Sequence, residues 1–222
     1  PQSFYYVAGY LAAVDAVGDP TIFAVPTGNI GNLTAGVIAR RLGVPISRLI
    51  AATNANRVLP DFLDTGTYRA RPSIATLSNA MDVGDPSNFS RLLELHDASV
   101  VELRRALWSA SIDESTTRAT IRAVHARTGY VLDPHTAVAW AAGDAYLAAT
   151  DSSQGGGVER TPVITLATAH PAKFGDVIRE ELAAAPRLPD EHVGWQSREP
   201  HAIDLPGAEY EAFRRLLLER LP

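Results

Sequence analysis

TIFAVPTGNIGNLTAG, residues 21–36, decides the fold: an apolar run stops at a Gly/Asn-rich turn that opens directly into a helical pattern. Residues 21–25 read as a short buried strand and residues 32–42 as a helix, which Gly43 closes and Pro45 prevents from continuing. Residues 48–53, RLIAAT, read as the next strand. Strand, helix and strand then make one right-handed crossover, so the fold class is α/β, a parallel sheet with flanking helices. Within the turn, Gly28 and Gly31 let the backbone fold tightly and approach a ligand. The first amides of the following helix lack intrahelical acceptors and, with the positive end of the helix dipole, suit an anion. No lysine follows these glycines in the G-x-x-x-x-G-K-[ST] manner, so a triphosphate is disfavoured and a cofactor monophosphate fits better. The same glycines also suit a plain strand-to-helix turn, and the two asparagines beside them favour the anion.

The 222 residues suit one domain of generous size or one and a half small ones, and 46% hydrophobic with 20% charged residues favours a packed core. A net charge of -5 without runs of one sign argues against nucleic acid or an anionic membrane as the main partner. Absence of cysteine excludes a disulfide, a thiolate nucleophile and Cys-ligated zinc. The six histidines show no H-x-H, H-x-x-x-H or H-E-x-x-H spacing, so no metal site is expected. Gly28, Gly31 and Gly36 do not form G-x-G-x-x-G, and Asn54 or Asn56 stands where an acid would grip a ribose, which disfavours nicotinamide. G-x-S-x-G is missing as well. Neither a signal peptide nor a membrane-length apolar run is present, and the cytoplasm is the default location.

Further along, residues 2–17 read as an amphipathic helix that begins in mid-fold, residues 56–63 as a short helix and 65–71 as a polar loop. Extended structure is expected near residues 74–77, and SNAMDVGDPSNFSR, residues 78–91, as an irregular polar stretch of the kind that carries function. Helices are expected at 100–109, 113–127 and 134–149, the last with Asp133 as N-cap and Pro134 at N1. SSQGGG, residues 152–157, reads as a flexible turn, 162–168 as a strand, 171–185 as a helix and 207–221 as a final helix. This organises the chain as an α/β domain, residues 1–185, with a linker and helix, residues 186–222, packed on it. Thr168 and His170 fall just past the carboxyl end of a strand, where ligands bind in open α/β sheets, although either residue also suits a helix cap. Lys173 is the only lysine, and its helical setting suits a solvated amine.

The segments PTGNIGNLTAG, IAATNAN, TLSNAMDV with PSNFSR, GYVLDPHTAVA and LATAHPAKF occur in this order. Together they resemble the threonine synthase family, pyridoxal-phosphate enzymes of fold type II, over most of the chain. The resemblance implies that Gly28, Asn29, Ile30, Gly31 and Asn32 wrap the cofactor phosphate, with Ile30 standing where many members carry phenylalanine. It implies that the neutral hydroxyl of Thr168 meets the pyridine nitrogen, moderating the electron sink relative to a carboxylate. Ser78, Asn79, Asp82, Ser87, Asn88 and Arg91 are similar to the family's polar segment near the substrate, and Arg91 suits a carboxylate or phosphate. The implied reaction converts O-phospho-L-homoserine and water to L-threonine and phosphate.

The family's Schiff-base lysine lies in a motif upstream of everything here, and Lys173 matches a different, non-catalytic lysine. The resemblance thus identifies a carboxyl-terminal portion, about half of a usual member and inactive alone. An unpaired sheet edge would then call for a separate amino-terminal polypeptide or self-association. Two other readings stay open: a non-catalytic module binding a phosphorylated metabolite or pyridoxal phosphate, and another fold type II lyase, against which TLSNAMD and TAHPAKF weigh.

Overall fold

Along β1 (Thr21–Pro26) every residue is buried, the mark of a central parallel strand covered on both faces. Alternation at period two sends its side chains to opposite cores. Phe23 and Val25 join Leu49 and Ala51 of β2 (Ile46–Thr53) in a core closed by α1 (Ser3–Ala13), α2 (Gly31–Arg41) and α3 (Val58–Thr65). Ile22 and Ala24 join Ile50 and Ala52 in a second core, against Val138, Ala139 and Ala142 of α7 (Pro134–Asp151). The computed structural model describes residues 1–151, 161–194, 197–199, 202–205, 207 and 209–220. They divide into two compact units, Pro1–Pro186 and Arg187–Pro222. The second contains a 3-10 turn, Asp190–His192, and α9 (Tyr210–Arg220). Among the described residues no helix is long and apolar enough to cross a membrane.

The sheet belongs to the first unit, and its order is β3-β2-β1-β4, parallel throughout. From β1 the chain steps outward to β2 and β3 (Leu107–Ser111), then returns so that β4 (Val163–Thr165) pairs with the opposite side of β1. That reversal makes the gap between the carboxyl ends of β1 and β4 a topological switch point, where open α/β sheets bind ligands.

Several elements differ from their sequence reading. The helix expected over 100–109 is α5 (Val100–Ala106) followed at once by β3, because Leu107 turns extended and Leu107, Trp108 and Ser109 pair with Leu49, Ile50 and Ala51. No glycine or proline marks that junction. Residues 74–77 are not a strand: the Ile74 N–H and carbonyl are both taken by the side chain of Asn56. The stretch expected to be irregular contains a 3-10 turn, Asn79–Met81, and the start of α4 (Phe89–Glu94). The strand expected over 162–168 is confined to β4, and the helix expected over 171–185 is a 3-10 turn, Pro171–Phe174, running into α8 (Gly175–Leu182). Asp113 caps α6 (Glu114–Thr128), accepting from the Thr116 N–H at 2.7 Å. Residues 152–157 lie outside the described residues, as do residues 208 and 221 of the expected final helix.

Candidate functional site

Thr27 ends β1 by donating its N–H to the Ala52 carbonyl and its hydroxyl to the Val25 carbonyl, both at 2.8 Å. The chain then turns through Gly28, Asn29 and Ile30 into α2. Neither glycine of the turn takes a positive φ; the left-handed residue is Ile30, at φ 65°. A β-branched residue pays about 1–2 kcal/mol there, offset by burying Ile30 in the core beside Leu33. Gly28 is required for a different reason. A Cβ on it would stand 2.6 Å from the Met81 Cα and 3.1 Å from the Ala80 carbonyl oxygen.

The first intrahelical bond of α2 is Thr34 N–H to the Ile30 carbonyl, and no side chain caps the helix. Among the described residues the amides of residues 28–33 have no acceptor. They line a cleft of about 390 Å³ shared with Ala80, Met81, Asn88, His135 and Thr168. Its lining holds no Asp, Glu, Lys or Arg. Its pull on an anion therefore comes from neutral donors and the helix dipole, undiminished by any facing carboxylate. Behind it, Tyr6, whose phenol burial pushes far above its ordinary pKa, donates its hydroxyl hydrogen to the Asn32 carbonyl at 2.7 Å. The Asn32 carboxamide oxygen lies 3.2 Å from the same hydroxyl and its Nδ2 is buried without a partner. One hydroxyl carries one hydrogen, so the 3.2 Å contact is met by turning the carboxamide over, with Nδ2 donating to the Tyr6 oxygen.

The polar segment wraps this cleft. Asn29 Oδ1 accepts from the Ser87 N–H at 2.7 Å and the Ser87 hydroxyl at 3.1 Å, while Asn88 Nδ2 donates to the Asn29 carbonyl at 2.9 Å. Arg91, exposed on α4, donates to Asn88 Oδ1 at 2.7 Å and thereby orients an amide that lines the cleft. Ser78 and Asp82 sit elsewhere, in a buried network at the end of β2. Asn54 Nδ2 reaches Asp82 Oδ1 at 2.8 Å and Ser78 Oγ at 3.0 Å, Asn56 Nδ2 reaches Asp82 at 3.2 Å, and Asp82 Oδ2 accepts the Thr76 N–H at 2.9 Å. Asn79 is exposed on the intervening turn. Thr168 stands at the mouth of the cleft, His170 caps its own turn through Nδ1 to the Ala172 N–H, and Lys173 is exposed apart from the lining.

Sequence reading assigned no structural task to Asn54, Asn56, Thr76 or His135. Two asparagines at the carboxyl end of a buried strand were a usable sign for the first two. Their partners lie 18 to 28 residues away, beyond any local pattern. Replacing Asn54 by alanine strands donors of Asn56 and removes the bonds of its Nδ2 to Thr76, Ser78 and Asp82. Urea unfolding is expected to show a loss of about 2 kcal/mol.

Residues 4–166 match the family model described as pyridoxal-phosphate dependent enzyme. The chain belongs to that family. Residues 136–217 also match the model described as threonine synthase, C-terminal. The threonine synthase of Serratia marcescens is 39% identical over 188 residues, covering 85% of this chain and 41% of that protein. The crystal structure of threonine synthase from Escherichia coli superposes with TM-score 0.78 at 36% identity, over 98% of this chain and 48% of that one. A pyridoxal-phosphate-bound threonine synthase from Brucella melitensis gives TM-score 0.77 at 32% identity, over 90% and 46%. The chain spans about half the length of the curated relatives it matches. This member of the family is thus similar to the carboxyl-terminal part of threonine synthases, with the expected type II architecture of a parallel sheet and flanking helices.

Proposed function

We propose that the chain supplies the phosphate cradle and part of the substrate pocket of a cytoplasmic threonine synthase, which converts O-phospho-L-homoserine and water to L-threonine and phosphate. The supporting observation is the run of unpaired amides at residues 28–33, placed at the switch point in a cleft without acidic side chains. That donor set fits a phosphate monoester. Gly28, Asn29, Ile30, Gly31 and Asn32 would hold the phosphate of pyridoxal phosphate, and Thr168 would offer its hydroxyl to the ring nitrogen. Bound there, the cofactor supplies an electron sink for the substrate. Asn88, fixed by Arg91, and Ser87, fixed on Asn29, would meet the substrate's carboxylate or phosphate. Ser78 and Asp82 would act by holding the wall of the pocket, and Asn79 would meet the substrate from the exposed turn between them.

The amine needed to anchor the cofactor is assigned to an amino-terminal segment supplied from outside these residues, since Lys173 is exposed and apart from the cleft. Phe4, Tyr5 and Leu11 of α1, 72%, 54% and 59% exposed, offer such a segment an apolar face. Fusing the chain behind the amino-terminal part of the Escherichia coli relative should give phosphate release from O-phospho-L-homoserine, retained in Lys173→Ala, while the 222-residue chain alone gives none. Activity of the chain alone that disappears in Lys173→Ala would overturn the assignment of the amine. A fusion that binds cofactor but turns over nothing would overturn the assigned reaction.

A further inference from the structure

His135 is buried in the wall of the cleft, and both of its ring nitrogens are engaged. Asp133, 1% exposed, gathers donors at the start of α7: its Oδ1 accepts the His135 N–H at 2.9 Å, its Oδ2 accepts the Thr136 hydroxyl, and His135 Nδ1 lies 3.0 Å from Oδ1. A carboxylate in this role only accepts, so the ring hydrogen sits on Nδ1 and Nε2 is left as an acceptor. The Ala80 N–H comes to that Nε2 at 3.2 Å. Phe174 packs on the ring with centroids 5.1 Å apart, which keeps it from turning over.

Ala80 is the middle of the Asn79–Met81 turn. Bonds from Asn54 to Ser78 and Asp82 tie the two flanks of that turn to the end of β2, and the bonds from Met81 and Asp82 back to Ser78 and Asn79 stay within it. The Ala80–His135 bond attaches its centre to α7. The Ala80 carbonyl and Met81 Cα are the atoms that a Gly28 Cβ would strike, so the position of this turn sets the position of Gly28.

We propose that His135, oriented by Asp133, is a positioning residue: by accepting the Ala80 N–H it seats the Ala80–Met81 turn against Gly28 and fixes the spacing of the phosphate cradle. The consequence for phosphate rests on the function proposed above; the seating of the turn does not.

Two substitutions separate the two ends of the imidazole. His135→Gln can place an oxygen where Nε2 accepts, and His135→Asn can keep a donor toward Asp133 but falls short of Ala80. In the ligand-free 222-residue chain, His135→Asn is expected to speed Ala80 amide exchange by about tenfold and to shift the Gly28 amide resonance, whereas His135→Gln leaves both near wild type. Affinity for pyridoxine 5′-phosphate, which has no aldehyde, should fall by about tenfold in His135→Asn and by less than about threefold in His135→Gln. Unchanged Ala80 and Gly28 amides in His135→Asn, or equal losses in both variants, would overturn the proposal. Failure of the wild-type chain to bind pyridoxine 5′-phosphate would count against the function instead, and the ligand-free amide measurements would still decide the role of His135.

Discussion

Gly28→Ala is expected to weaken binding of pyridoxine 5′-phosphate by about a hundredfold while costing the fold about 1–2 kcal/mol. The new Cβ would stand 2.6 Å from the Met81 Cα and 3.1 Å from both the Ala80 oxygen and the Met81 carbonyl carbon, and all three are backbone atoms. They cannot swing aside as a side chain would. Their turn is held by His135 and by the network of Asn54 and Asp82, so the residues leading into α2 must yield instead. Those residues carry the free amides. Displacing them spoils several hydrogen bonds to a charged phosphate, each worth about 1.5–3 kcal/mol, so loss of the equivalent of one or two accounts for the hundredfold. Calorimetric titration measures the affinity, with unphosphorylated pyridoxine as the control that should not change. An alanine variant binding within threefold of wild type would move the phosphate away from this turn.

The parts of the site legible in the sequence are those whose geometry is local. β1, the turn and α2 are consecutive, so a buried strand, two glycines and a helix start whose first amides lack intrahelical acceptors could be read together from residues 21–36. Even there the reason for a glycine was hidden. Sequence suggested conformational freedom at Gly28 and Gly31, whereas the left-handed residue is Ile30 and the demand on Gly28 comes from Met81 across the cleft. β3 escaped because α5 passes into it without a breaking residue, and only pairing with β2 selects extended structure from Leu107 onward. His135 and Ala80 are 55 residues apart, and Asn54 and Asp82 are 28 apart. Such contacts follow from how the sheet closes and have no periodicity to reveal them. The resemblance carried by five ordered segments supplied the cofactor class, which local chemistry had narrowed only to a monophosphate.

Gly84→Ala should show the opposite balance, a large loss of stability from which any loss of binding follows. A Cβ there would lie 1.9 Å from the Arg71 carbonyl oxygen, 2.8 Å from the Arg71 carbonyl carbon and 3.0 Å from that of Pro72. No side-chain adjustment removes an overlap between backbone atoms at that distance. The two strands of chain are also bonded to each other, Arg71 N–H to the Gly84 carbonyl at 2.9 Å and Gly84 N–H to Ser73 Oγ at 3.1 Å, and both bonds must break for the segments to part. Arg71 is further tied to Asp61 of α3 at 2.6 Å, so the outer segment is not free to recoil. Overpacking plus the lost bonds comes to about 3 kcal/mol or more, a fall in thermal midpoint of roughly 6–12 °C for a chain of this size. Because Thr76, Ser78 and Asp82 lie between the two apposed segments, the cleft wall loosens with them, and amide exchange should rise across residues 71–84 before the sheet opens. Comparing urea unfolding with titration in the two glycine variants separates the effects: Gly28→Ala loses affinity out of proportion to stability, and Gly84→Ala loses stability first. A Gly84→Ala chain that unfolds at the wild-type midpoint would mean that residues 71–73 and 84 are not in contact in solution.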